Sequence, residues 1–176
     1  EMLTSLDVIY AKALMAKEYD YSDVKIYDKQ SFNIKKCRHP LIDREKVVSN
    51  SFNLNEEQRI VIISGPNAGG KTVSLKTVGL IVLMNQAGLA VPAKKAELGY
   101  FKNIFIDIGD NQSLSDNLST FSAHMSQISE IIRLCGGKDL ILVDELGTGT
   151  DPKEGEALAL GIVKYLEKKH VLAMIS

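Results

Sequence analysis

The sequence predicts an α/β fold with a mostly parallel sheet flanked by helices, and three observations predict it. Short apolar runs (Ile60–Ser64, Asn103–Ile108, Leu140–Val143) alternate with stretches of helical period, the order that lays strands side by side and helices across their faces. The first run passes directly into Gly65-Pro66-Asn67-Ala68-Gly69-Gly70-Lys71-Thr72 and then a helical stretch, Val73 to Gln86. The third closes on two carboxylates, Asp144 and Glu145, and ligands of open α/β sheets gather at the C-terminal ends of the strands.

Taken in order, Thr4 to about Glu18 reads as an amphipathic helix, and residues 19–30 as a polar, tyrosine-rich loop. Phe32-Asn33-Ile34-Lys35 alternates like a short strand, ended near Pro40, which has no N–H for a ladder. Val47 to Leu54 alternates weakly. Ile60 to Ser64 is continuously apolar, as expected for a strand buried on both faces. Val73 to Gln86 is apolar on nearly all sides and should be a buried helix, stopped by Gly88. Val91-Pro92-Ala93 and Asn103 to Ile108 read as strands, and residues 109–119 as a polar loop. Thr120 to Leu134 returns to helical period and ends at Gly136-Gly137. Asp151-Pro152-Lys153-Glu154 is a helix start, with Asp as cap, Pro in the first turn and Glu three residues on. Val171 to Ser176 reads as a buried strand.

The glycine segment matches G-x-x-x-x-G-K-[ST] in full, in the strand, loop, helix context that gives the pattern its meaning. Glycines let backbone N–H groups close around phosphate oxygens, and the following helix points its positive end at them. This spacing makes Gly65, Pro66, Asn67, Ala68, Gly69, Gly70, Lys71, Thr72 and Val73 the expected nucleotide cradle. Lys71 would meet the β and γ phosphates, and Thr72 and Asp144 the Mg²⁺. Glu145 is placed to polarise a water as general base. ATP and Mg²⁺ are the expected ligands.

The 176 residues are enough for one domain with a core, and the net charge of -1 is not a basic nucleic-acid footprint. Cys37 and Cys135 have no ligand spacing, which suits free thiols in a reducing cytosol. The longest apolar stretch, Val78 to Met84, is too short to cross a bilayer, so a cytoplasmic protein without a membrane partner is expected. The chain opens inside a helical pattern and stops on an apolar run, which reads as an excised piece of a longer protein.

Further motifs carry a family resemblance. Arg38-His39-Pro40-Leu41, the glycine segment, Ser119-Thr120-Phe121 with Met125, and Asp144-Glu145-Leu146-Gly147-Thr148-Gly149-Thr150-Asp151 occur in that order. Together they resemble the MutS family of mismatch-repair-type ATPases over about Leu6 to Met174. The Lys-Thr-Val after the glycines, and Pro152 with Glu154-Gly155 after the carboxylates, look closest to the second bacterial branch, associated with suppression of recombination and ribosome rescue. The resemblance implies a P-loop NTPase of the ABC type with a small N-terminal β/helical segment. Residues 1–20 would end a preceding helical lever and 21–176 form the ATPase domain, stopping before the family's switch His. It implies a homodimer around two nucleotides, with Ser119 acting in trans on the γ-phosphate. It also implies that Asn67 orients that phosphate or the lytic water, Gln112 senses γ-phosphate and metal, and Gly147 to Asp151 line the dimer interface. Val47 and Val48 match the segment that packs on adenine, although ordinary core packing fits them equally. His39 has no assignable role beyond a structural one, and His124 and His170 read as structural and solvated. DNA, or a ribosomal or other nucleic-acid assembly, would be engaged by segments outside these residues.

Two other readings stay open: a nucleotide-gated dimerisation module with negligible turnover, and another ABC-type machine. The latter usually carries Leu-Ser-Gly-Gly ahead of the signature helix, where this chain has Ser115-Asp116-Asn117-Leu118-Ser119-Thr120-Phe121.

Overall fold

A computed structural model describes residues 2–66, 69–109 and 117–176, with the backbone alone for 117–120. The elements are α1 (Met2–Glu18), β1 (Val24–Tyr27), β2 (Phe32–Cys37), β3 (Asn50–Leu54), β4 (Ile60–Ile62), α2 (Lys71–Gln86), β5 (Lys95–Gly99), β6 (Ile104–Asp107), α3 (Asn117–Leu134), β7 (Leu140–Val143), α4 (Pro152–Lys168) and β8 (Leu172–Ile175). They form two compact units, one of residues 1–53 and 76–100, the other of 54–75 and 101–176.

The first unit holds a four-stranded sheet in the order β1-β5-β2-β3. β5 runs parallel to β1 and antiparallel to β2. Phe32, Ile34, Ala96 and Leu98 are buried from this sheet, while Lys95 and Glu97 point outward as an ion pair of 2.8 Å. Two readings are corrected here. The strand expected at 91–93 lies at Lys95–Gly99, with only an isolated bridge from Val91 to Ser22, because Pro92 cannot donate to a ladder and 95–98 alternate charged and apolar residues. The loop expected over 19–30 contains β1, a four-residue strand too short to stand out from its polar flanks, with Lys25, Ile26 and Tyr27 exposed. α1 forms where expected, with Leu3, Leu6, Ile9 and Leu14 all exposed.

The second unit is built on an all-parallel sheet in the order β4-β8-β7-β6. Ile141, Val143, Ala173 and Ile175 pack on one face with Ile128, Ile131 and Cys135 of the α3 region and Ile162 and Leu166 of α4. The opposite-facing Leu140, Leu142, Leu172 and Met174 are also fully buried, which is why β7 and β8 read as unbroken apolar runs. β4 departs from expectation: it is three residues long and pairs only with β8, and Ile62 is 62% exposed. Continuous apolarity predicted burial on both faces, but an edge strand has a neighbour on one side only. α3 begins at Asn117, three residues before the expected start, so Ser119 lies within the first turn rather than ahead of the helix. Leu118, three residues before Phe121, extends the apolar period backward.

Candidate functional site

Register brings the second unit's four strands to one level. Ile62 pairs with Ile175, Ile175 with Val143, and Val143 with Asp107. All four run the same way, so the segments that follow them (the glycine loop, Ser176, the Asp144-Glu145 pair and Ile108) leave a single edge. β4 and β7 have only β8 between them, which at the usual strand spacing sets glycine loop and carboxylates about 10 Å apart. That is the span of a phosphate group with a cation beside it.

The glycine loop is closed by its own lysine. Lys71 Nζ donates to the Gly65 carbonyl at 2.6 Å, and the Gly69 N–H donates to the Pro66 carbonyl at 2.9 Å. Gly65 and Gly70 have φ of 148° and 80°, the left-handed side that only glycine adopts without strain, and a Cβ on either would meet nothing within 4 Å among the described residues. The glycines are therefore required by backbone shape, and no described residue crowds the space beside them. Ser74 Oγ donates to the Gly70 carbonyl at 2.9 Å and fastens the first turn of α2. Thr72 is half-buried in that turn and Val73 is exposed.

At the end of β7, Asp144 is 6% exposed, and its carboxylate accepts a hydrogen bond from the Ser176 hydroxyl. Its N–H donates to the Asp107 carbonyl at 2.9 Å. Glu145 is exposed and has a φ of 54°. A non-glycine residue in this region stores backbone strain, which persists only where surrounding bonds enforce it. Here they do. Its N–H donates to Ser176 Oγ at 3.1 Å, and its carbonyl accepts from the Thr148 N–H at 3.1 Å and the Thr148 hydroxyl at 2.9 Å. The turn swings the Glu145 side chain out of the strand while Asp144 stays tucked at the edge. A buried carboxylate beside a hydroxyl, and an exposed one next to it, suit a cation ligand and a proton acceptor respectively.

Ser176 and Asp107 were not anticipated. Ser176 carried no signal beyond following an apolar run. Asp107 had the same signal as Asp144, an apolar strand ending in a carboxylate. Among the other expected residues, Asn67, Ala68 and Gln112 lie outside the described residues, as does the Ser119 side chain. Val47 and Val48 belong to the first unit. Val47 is half-buried at the wall of a cavity of about 610 Å³ that Lys36, Arg38 and Arg44 also line, and Val48 is 78% exposed. His39 Nδ1 accepts from the Leu41 N–H at 3.2 Å, and burial, with Lys76 nearby, holds its pKa below the usual value. His170 is exposed at the end of α4.

Fold and site thus define an α/β protein whose glycine loop and strand-end carboxylates share one sheet edge. The chain belongs to the MutS family, with the family description MutS domain V matching residues 61–176. It is 47% identical over 175 residues to a protein named Endonuclease MutS2 from Lactobacillus acidophilus, covering 99% of this chain and 22% of that protein. Proteins of the same name from Caldicellulosiruptor bescii and Clostridium botulinum are 51% and 52% identical over 168 and 165 residues, covering 95% and 93% of this chain. The chain spans about one fifth of the length of these relatives, 21% to 22%. Among the described residues, no helix is long and apolar enough to cross a membrane.

Proposed function

We propose that this chain is the ATP-binding and ATP-hydrolysing domain of a MutS2-type protein, with α1 as the end of a preceding helical region. The observation that carries the reading is the shared edge: a lysine-closed glycine loop, with no described residue crowding Gly65 or Gly70, one strand away from Asp144 and Glu145. ATP is the substrate. Lys71 exchanges the Gly65 carbonyl for phosphate oxygens, a stronger, charge-assisted partner, and loop N–H groups take the remaining oxygens. Thr72 and Asp144 fit a small hard cation, since each offers oxygen. When bound, Mg²⁺ supplies charge neutralisation on the phosphates. Glu145 takes the proton of the attacking water from its exposed position beyond the strand.

Two copies joined through their nucleotide sites, with Ser119 of each addressing the other's γ-phosphate, account for the signature segment. Such a dimer would gate a clamp on DNA or another nucleic-acid assembly through segments outside this chain. The test is ATP·Mg²⁺ binding and phosphate release by the chain and two variants. Lys71→Ala should lose binding. Glu145→Gln should keep it and lose about 100-fold or more in kcat, the ordinary worth of a general base. Turnover by Glu145→Gln at the wild-type rate would remove Glu145 from the mechanism.

A further inference from the structure

His124 and Asp107 form a buried polar pair that nucleotide chemistry does not use. Their Nε2 and Oδ2 atoms lie 2.9 Å apart, with side chains 7% and 10% exposed, but the contact lacks regular hydrogen-bond geometry, and neither atom has a hydrogen-bond partner among the described residues. Burial pushes the Asp107 carboxyl up from its usual range, and His124 pulls it back. Such a pair is a poor way to gain stability, because desolvating a carboxylate and an imidazole carries a cost that apolar side chains of the same size would not incur. Buried polar pairs instead specify position, since displacing one partner strands the other.

The position specified here is significant. Asp107 is the last residue of β6, and its carbonyl accepts the Asp144 N–H at 2.9 Å. Its side chain meets α3 at His124. One residue therefore joins the carboxylate edge, through its backbone, to α3, through its side chain. On α3, His124 stands five residues after Ser119, about 7.5 Å along the axis at the helical rise of 1.5 Å per residue. Ile128 and Ile131, further along the same helix, seat it in the core by apolar contacts, which tolerate sliding better than a directed polar contact does.

We propose that Asp107 and His124 are positioning residues that fix the first turns of α3 against the strand end carrying Asp144, so that the Ser119 segment responds to events at the nucleotide edge. The idea rests on the ATPase reading for its functional consequence, but not for its structural one. The experiment compares the chain with His124→Leu, His124→Gln and Asp107→Leu by amide hydrogen exchange over residues 121–134 and by ATPase kinetics, circular dichroism first confirming that each variant folds. Gln places an amide nitrogen near the Nε2 position and can still donate to Asp107.

In His124→Leu, α3 exchange should rise about 10-fold in its first half while its second half stays protected. The kcat should fall about 10-fold with KM for ATP unchanged, and His124→Gln should restore both. Wild-type exchange in His124→Leu would overturn the proposal, as would a rise in KM without a fall in kcat, or a His124→Gln variant no better than His124→Leu. If Asp107→Leu, which keeps its backbone carbonyl but has no polar side-chain atom, left both readouts at wild-type values, the side-chain link would be refuted. If wild-type chain neither bound nor hydrolysed ATP, the ATPase reading would fail, and exchange alone would still decide whether the pair holds α3.

Discussion

Cys37 closes β2 with 1% of its surface exposed, and burial pushes its pKa up to about 11, against hydrogen bonds from its own and the Asn50 backbone. At pH 8 its thiolate fraction should be about 100-fold below that of a thiol at the ordinary 9.0, since each pKa unit is a factor of ten. Iodoacetamide should label Cys37 at least that much more slowly in the native chain than in the unfolded one, and equal rates would show the thiol to be accessible. The sign for stability follows from the raised value: the contribution is complete below 9.0 and disappears as pH rises through 11. At this scale the sequence was most legible where chemistry is local. Gly65, Gly70 and Lys71 stand at the spacing of a glycine loop, and the structure gives both glycines positive φ and bonds Lys71 to the Gly65 carbonyl. Asp139 was not legible. Buried at 3% exposure, it accepts from the Asn103 N–H and Nδ2 and from the Gly136 N–H, at 3.1, 3.0 and 2.8 Å. Gly136 is three residues away, but Asn103 comes from the far end of another segment, so no spacing reveals that pairing.

The start of α4 is the best case of an element written into the sequence. Asp151 accepts from the Lys153 and Glu154 N–H groups, and Pro152 occupies the first helical position, as the cap pattern predicts. What the pattern does not reveal is how tightly that helix sits on the turn before it. A Cβ on Gly155 would strike the Gly147 carbonyl, and one on Gly147, whose φ is 86°, would come within 2.5 Å of the Gly155 carbonyl. Gly155→Ala should therefore lower stability by about 1–3 kcal/mol through overpacking. Gly161→Ala on the same helix has nothing within 4 Å and should be neutral or stabilising by up to about 1 kcal/mol. Thermal unfolding of the two variants checks the contrast, and equal midpoints would refute the close approach. Strands were less legible than helices. β1 and β5 are short and carry charge on their solvent side, so apolar runs alone do not mark them, although the alternation Lys95-Ala96-Glu97-Leu98 was available.

For the whole molecule, the proposed dimer makes a distinct prediction. Sedimentation with a non-hydrolysable ATP analogue and Mg²⁺ should give a dimer that Lys71→Ala and Ser119→Arg both abolish, with Ser119→Arg still binding nucleotide as a monomer. A Ser119→Arg variant that dimerised normally would take Ser119 out of the partner's site. The sequence by itself determined the α/β class, the glycine loop, the strand-end carboxylates and the family, because each depends on local backbone geometry or on residues adjacent in the chain. Tertiary structure decided the rest: the order β4-β8-β7-β6 that sets loop and carboxylates one strand apart, the Ser176 hydroxyl on Asp144, and the meeting of Asp107 with His124. The physical reason is that strand order and buried polar pairing join residues distant in the chain, and only packing brings those together.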